Sequence, residues 1–305
     1  MKQISWALQA ALFYLFTLAV SRIPESLVLP AGRTTGLLMF RFLPGRRGIA
    51  LDNIRQAFPF MARHPAWTGD FDSPESIVRE SFVNLGTSLV EVCHLYHGRG
   101  DFVINSIELR GREHYDAARA RGKGLIFLTG HCGNWELLAL GLSSLLNESM
   151  SVVARRQDNP YLNRMVERMR MRYKSTVLYK HGALKGILAS LKKGQLIGML
   201  ADQAVSPAEG ALIHVMGRTA WASKAPVIIA QKSGAAIVPT FIHREENRRI
   251  ITCCPEHHFS GDMSEKGIQE ETQALSRYVE EFVVAHPAQW YWVHRRWKRA
   301  GEVVE

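Results

Sequence analysis

The chain has 305 residues, enough to bury a full core in one large α/β domain. Its formal charge is +10, from 38 Lys+Arg against 28 Asp+Glu, which favours anionic partners: nucleic acid, a membrane surface or an acidic carrier protein. The four cysteines, Cys93, Cys132, Cys253 and Cys254, have no framework spacing, so free thiols in a reducing compartment are expected rather than a disulfide scaffold.

The chain opens with a membrane-like stretch. Ile4 to Val20, "ISWALQAALFYLFTLAV", holds 17 residues without a charge. That is the lower limit for crossing the hydrocarbon core, about 17–25 residues. Lys2 precedes it, and Arg22, Arg33, Arg41, Arg46 and Arg47 follow. By the positive-inside rule the body of the protein would lie in the cytoplasm. The alternatives are a cleaved signal peptide, for which Ala19 and Ser21 make a weak cleavage pattern, and a helix lying in one leaflet. Residues 1–22 are read as an anchor helix, spanning or half-spanning. Leu27 to Gly48 keep the apolar, basic character, so 23–74 reads as a helical membrane-facing region. His64 to Ser76 is a linker in which Ser73-Pro74-Glu75 opens a helix over 75–96.

From residue 75 to 305 strands and helices alternate. Strands are predicted near 124–129, 151–155, 176–179, 196–201, 236–243 and 249–254. Helices are predicted near 112–121, 134–146, 160–172, 182–192, 220–232 and 266–285. Alternation of this kind predicts an α/β domain, a mostly parallel central sheet flanked by helices.

Within it, "GLIFLTGHCGNWELLALG" (Gly124 to Gly141) reads as a buried strand, a turn and a helix. Asn134 is a candidate N-cap. His131 stands on the turn and Glu136 on the first helical turn, where the dipole favours a carboxylate. A neutral imidazole held by a carboxylate is what a general base requires; a His that merely caps the turn is the plainer alternative. His257 and Asp262 repeat the spacing, but in a polar loop. "CCPEHH" beside them fits no standard zinc pattern, and no metal is expected. Other polar residues fall at predicted strand ends: Arg155 and Arg156 after "SVVA", Asp202 and Gln203 after "LIGMLA". Ligands of α/β sheets gather at such ends. Each residue alone fits a surface loop; together they favour a site.

"GHCGNWE" looks like the H-x-x-x-x-[D/E] motif of lipid acyltransferases. The chain as a whole is most similar to the bacterial lipid A biosynthesis (lauroyl/myristoyl) acyltransferases. The resemblance includes "LDNIRQAFP" (51–59), "ARRQDNP" (154–160), "LADQ" (200–203), "AAIVPTFIHR" (235–244) and "QWYWVHRRWK" (289–298). The Phe-Pro-Glu-Gly-Thr-Arg segment of glycerophosphate-type acyltransferases is missing, which points to the lipid A branch. Enzymes acylating mannosylated inositol lipids share the motif.

The resemblance implies transfer of a fatty acyl chain from acyl carrier protein to a hydroxyl of a Kdo-bearing lipid A precursor, without a cofactor, at the cytoplasmic face of the inner membrane. His131 would take the hydroxyl proton. Glu136 would hold the ring and stabilise the imidazolium. No covalent acyl-enzyme is required. Backbone amides at Gly133–Asn134, or Arg155 or Arg156, would meet the oxyanion. Arg155, Arg156, Arg295 and Arg296, with Asp202 and Gln203, would bind substrate; arginines suit its phosphates and sugar carboxylates. A rival reading makes Cys132, at a helix N-terminus, the nucleophile of a hydrolase or transferase. No G-x-S-x-G elbow supports a serine hydrolase. A nucleic-acid binder is disfavoured by the membrane-like start and by the lack of a reading helix or zinc module.

Overall fold

The computed structural model describes residues 2–179 and 183–301. Four helices come first: α1 (Lys2–Val20), α2 (Glu25–Phe42), α3 (Pro44–Met61) and α4 (Pro74–Tyr96). α4 opens where Ser73-Pro74-Glu75 predicts. Ser73 Oγ accepts from the Ser76 N–H at 3.3 Å, and Pro74 fills a position that needs no N–H. α2 and α4 touch backbone to backbone. A Cβ on Gly36 would lie 2.3 Å from the Phe82 carbonyl oxygen, so only glycine permits this approach.

The short α5 (Asp101–Asn105) leads into the α/β body: β1 (Ile107–Arg110), α6 (Arg112–Ala120), β2 (Leu125–Thr129), α7 (Trp135–Leu145), β3 (Met150–Ala154), α8 (Pro160–Arg172), β4 (Ser175–Tyr179), α9 (Ala183–Lys192), β5 (Leu196–Leu200), β6 (Gly210–Val215), β7 (Arg218–Ser223), α10 (Ala225–Ser233), β8 (Ala236–Glu245), β9 (Arg248–Cys253) and α11 (Glu265–Ala285). Seven strands form one sheet in the order β1-β9-β8-β2-β5-β3-β4. Every neighbouring pair is parallel except β8 with β9, which form an antiparallel hairpin. The predicted α/β architecture is therefore the observed one.

β2 is central, and all five of its residues are buried. Leu125 and Phe127 meet Leu137, Leu138 and Leu142 of α7 on one face. Ile126 and Leu128 meet Ile187, Val227 and Leu275 on the other. Burying each such side chain contributes about 1.5–3 kcal/mol, which is why the strand reads as an unbroken apolar run.

One expectation needs correction. The helix predicted over 220–232 starts later, at Ala225, because Ala220–Ser223 belong to β7, paired antiparallel with β6. That hairpin turns through Met216 and Gly217, both at positive φ, without the Asn-Gly or Asp-Gly signal that would announce it. Residue 182, where the next predicted helix begins, lies outside the described residues.

α1 lies along α4 and α8. Among the described residues it is the one helix long and apolar enough to cross a membrane. Ile4, Leu8, Leu12, Leu15 and Phe16 are exposed on it. Polar bonds fasten it to the body: Asn159 Nδ2 donates to the Trp6 carbonyl at 2.9 Å, and Thr17 Oγ1 lies 2.9 Å from His97 Nε2.

Candidate active site

β2 and β5 run in parallel with Thr129 opposite Leu200. Extending both chains by two residues brings His131 level with Asp202, at the carboxyl end of the sheet. There Asp202 Oδ1 lies 2.8 Å from His131 Nδ1. Asp202 Oδ2 accepts the His131 backbone N–H at 2.8 Å and the Trp290 indole N–H at 2.7 Å. Burial alone would raise the Asp202 carboxyl. The charge of His131 and the donated bonds outweigh it and hold the group down at about 2. An ionised Asp202 can only accept, so Nδ1 carries the proton and Nε2 keeps its lone pair. Burial pulls the imidazole downward, and the charges and bond of Asp202, with Glu136 beyond, push it up. The net direction is up.

The ring-holding bond expected from Glu136 is thus made by Asp202. Glu136 sits on the first turn of α7, and its carboxylate turns toward α8. Arg170 there grips both oxygens, with Nη2 at 2.8 Å from Oε1 and 3.0 Å from Oε2. Glu136 still acts on His131 through its charge.

The turn between them is tightly fixed. Asn134 Oδ1 accepts from the Leu137 N–H at 3.2 Å, capping α7 as its sequence position predicts. Asn134 Nδ2 donates to Glu91 Oε2 at 2.8 Å. Glu91, fully buried in α4, also binds Arg244 (2.7 Å) and Arg249 (2.7 Å). Burial would raise its carboxyl, yet the two arginines bring it below the usual range. Gly133 has φ +53°, and a Cβ there would meet the Ile242 carbonyl oxygen at 2.1 Å. Its N–H donates to the Gln289 carbonyl at 2.6 Å, so this amide, expected to meet an oxyanion, is already occupied.

The C-terminal aromatic segment closes one side. Trp135 stands edge-on to the His131 ring at 5.1 Å, and Tyr291 lies 5.9 Å from it. With Phe82, Leu85 and Trp290 they line a narrow groove that reaches His131. Gln203 brings its amide nitrogen to 3.2 Å from His131 Nε2.

The predicted Arg155, Arg156 and Arg296 make their hydrogen bonds and ring contact with groups other than His131 and Asp202, although Arg296 lines one cavity with Asp202. Arg155 is exposed and pairs with Asp158 at 3.0 Å. Arg156 lies over the Tyr179 ring, 4.7 Å from its centroid. Arg295 is exposed. Arg296 is 2% exposed, and its Nη1 donates to the Trp221 carbonyl at 2.9 Å. Burial pulls its guanidinium down to about 10, opposed by the charge of Asp202. Enclosed in this way Arg296 does not present itself to an anionic headgroup. The paired role expected of Arg295 and Arg296 reduces to Arg295.

Cys132 is fully buried, and burial pushes its thiol well above the ordinary range, which removes the thiolate that the cysteine reading requires. His257 and Asp262 do not form a pair: His257 Nε2 lies 2.8 Å from Glu271 Oε2, and Asp262 accepts from Ser264. Arg170, Glu91 and Trp290 were missed in the sequence. Only Trp290 carried a signal, as part of "QWYWVHRRWK".

A sequence profile of the family described as bacterial lipid A biosynthesis acyltransferase matches residues 3–299. A lipid A biosynthesis lauroyltransferase of Escherichia coli (strain K12) is 25% identical over 290 residues, which cover 93% of this chain and 90% of that protein. A lipid A biosynthesis palmitoleoyltransferase of the same strain is 24% identical over 91% of this chain and 87% of its own length. A phosphatidylinositol mannoside acyltransferase of Mycobacterium tuberculosis (strain CDC 1551 / Oshkosh) is 22% identical over 61% of this chain and 58% of its own.

Proposed function

Because the chain belongs to the bacterial lipid A biosynthesis acyltransferase family and is an acyl-transferring enzyme, we propose that it moves a fatty acyl chain from acyl carrier protein to a hydroxyl of a Kdo-bearing lipid A precursor. The work would be done at the cytoplasmic face of the inner membrane. The observation that carries the reading is the His131–Asp202 pair, 2.8 Å apart beside a mostly apolar groove that reaches the ring.

In this mechanism the acceptor hydroxyl gives its proton to Nε2 while its oxygen attacks the thioester carbonyl. Asp202 keeps the proton on Nδ1 and stabilises the imidazolium. General base action of this kind is worth roughly 10²–10⁴ in rate. Collapse of the tetrahedral centre breaks the C–S bond, and the imidazolium returns its proton to the sulfur. Glu136, fixed by Arg170, adds negative charge beside the imidazolium and shapes the wall of the site. Exposed Arg155, Arg156 and Arg295 would meet phosphates and sugar carboxylates. The apolar outer face of α1 would meet the bilayer, and the +10 charge suits an acidic carrier.

A second reading, acylation of a mannosylated inositol lipid, is favoured by the mycobacterial relative. Purified protein with labelled acyl carrier thioester, offered the lipid A precursor, lysophosphatidic acid and a mannosylated inositol lipid in parallel, separates them. Label in the first supports the proposal. Label only in the third moves the acceptor to the inositol lipid. No transfer by the parent protein to any of them would sink the reading.

A further inference from the structure

The reacting atom of the base is not bare. Gln203 Nε2 lies 3.2 Å from His131 Nε2. The orientation of the carboxamide follows from the proton count. Nδ1–H is committed to Asp202, so Nε2 presents a lone pair, and only the amide N–H can face it; the carbonyl oxygen would be repelled.

Four other donors around the ring are already committed. The His131 N–H and the Trp290 indole N–H both go to Asp202 Oδ2. The Gly133 N–H goes to the Gln289 carbonyl, and the Arg170 guanidinium goes to Glu136. A tetrahedral oxyanion forming beside His131 needs a donor aimed at it, and these groups are turned onto internal acceptors. Gln203 differs in kind. Its amide N–H rests on the atom that the acceptor hydroxyl must occupy, so substrate binding itself releases it.

We propose that Gln203 is an oxyanion donor of this enzyme, resting on His131 Nε2 until the acceptor hydroxyl displaces it. The inference rests on the acyl-transfer reading above. The hydroxyl takes the Nε2 lone pair and pushes the amide aside by about one hydrogen-bond length. The attacking oxygen bonds to the acyl carbon, its proton passes to Nε2, and the C=O π electrons move onto the carbonyl oxygen. That oxygen lies two covalent bonds from the attacking one, within about 3 Å of the released N–H, the range an oxyanion donor requires. When the tetrahedral centre collapses, the electrons return, the C–S bond of the thioester breaks, and the proton on Nε2 goes to the departing sulfur. Gln203 returns to Nε2 as the ester leaves. The contact that covers the base in the resting enzyme and the contact that stabilises charge in the reaction are made by one N–H at two moments.

Gln203 is partly exposed, at the mouth of the sheet, so substitution leaves the core intact. The experiment compares parent, His131→Ala, Gln203→Ala and Gln203→Glu in steady-state transfer from an acyl thioester, with the acceptor varied. Gln203→Ala is expected to lower kcat by about 10²–10³, the usual cost of losing one oxyanion donor, with the acceptor KM within threefold. Gln203→Glu keeps the shape and an accepting oxygen but loses the donor, and is expected to fall at least as far. The pH profiles give a second readout. Without the amide on Nε2 the acid limb of kcat/KM moves to higher pH, because the neutral ring loses its donor. The limb of kcat stays, because bound substrate has already displaced the amide. A kcat within threefold of the parent for Gln203→Ala, a loss confined to KM, or near-parent activity in Gln203→Glu would each overturn the proposal; the last two would make Gln203 an acceptor that orients the hydroxyl. A parent protein as inert as His131→Ala would instead defeat the acyl-transfer reading itself.

Discussion

Nδ1 of His131 and Oδ1 of Asp202 are 2.8 Å apart, and this contact decides which nitrogen of the ring is available. Replacing Asp202 by Asn tests it. An asparagine would turn its carbonyl oxygen to the His131 and Trp290 N–H groups that Oδ2 now serves, and its NH₂ to Nδ1. The ring would then carry its proton on Nε2, where the base is needed. The expected loss in kcat is about 10³–10⁴, close to that of the corresponding change in a serine protease triad. Thermal unfolding should fall modestly, since the hydrogen bonds are re-formed but the carboxylate charge is lost. Near-normal turnover by Asp202→Asn would show that the tautomer does not matter.

The direction of the His131 shift predicts a pH profile. A base must be neutral, so activity falls as pH drops through the imidazole value. That value is raised in the free enzyme, which puts the acid midpoint of kcat/KM above the ordinary 6.5 or so of histidine. Glu136 contributes to the upward shift, so Glu136→Gln moves the midpoint of the remaining activity to lower pH. Stability runs with Asp202. Its depressed carboxyl contributes stability above the unfolded aspartate value of about 3.9, and that is lost as pH falls toward 2. Kinetics across pH 4–9 read the first effect, and thermal melts carried from pH 6 down to about 2 read the second.

Arg170 and Glu136 act as a unit. Removing the guanidinium leaves a largely enclosed carboxylate one turn from the base, free to swing. Arg170→Ala is expected to cost about 10² in kcat, the scale of a 1 Å misplacement near the chemistry. In a cycle with Glu136→Ala, the double variant should fall short of the sum of the singles by about 0.5–3 kcal/mol. Additive effects would show that the bond does not organise the site.

Glu91 faces two guanidinium groups and Asn134 in a fully buried position. Glu91→Ala strands both charges, and loss of one partner of such a cluster costs about 3–5 kcal/mol. Glu91→Gln, which still accepts, should cost less and keep the cap on α7. Denaturation in mild detergent gives the ranking, and equal stability of both variants with the parent would contradict it.

Much of this site was visible in local patterns. The apolar run of β2, the His131 turn and the Asn134 cap are encoded within a dozen residues. The choice of carboxylate was not. Glu136 is five residues from His131, and Asp202 is 71. Only the lateral order of strands brings Asp202 closer, and no spacing rule reports that order. Asp202 was read as a strand-end substrate contact because its strand's neighbour was unknown. Arg296 misled for a related reason: in "HRRWK" it looks as exposed as Arg295, and only the packing of the surrounding tryptophans encloses it.

The first helix bears on how such a protein should be handled. Asn159, the cap of α8, holds the carbonyl of Trp6, and the last turn of the same α8 carries Arg170. Trimming the N-terminus to obtain better-behaved material would leave that cap without its acceptor, at the far end of the helix that restrains Glu136. A shortened enzyme that turns over slowly would then report on its own preparation as much as on its substrate. Detergents that pry the first helix from its seat would do the same without any change in sequence, so the choice of micelle or bilayer is a variable of the kinetics.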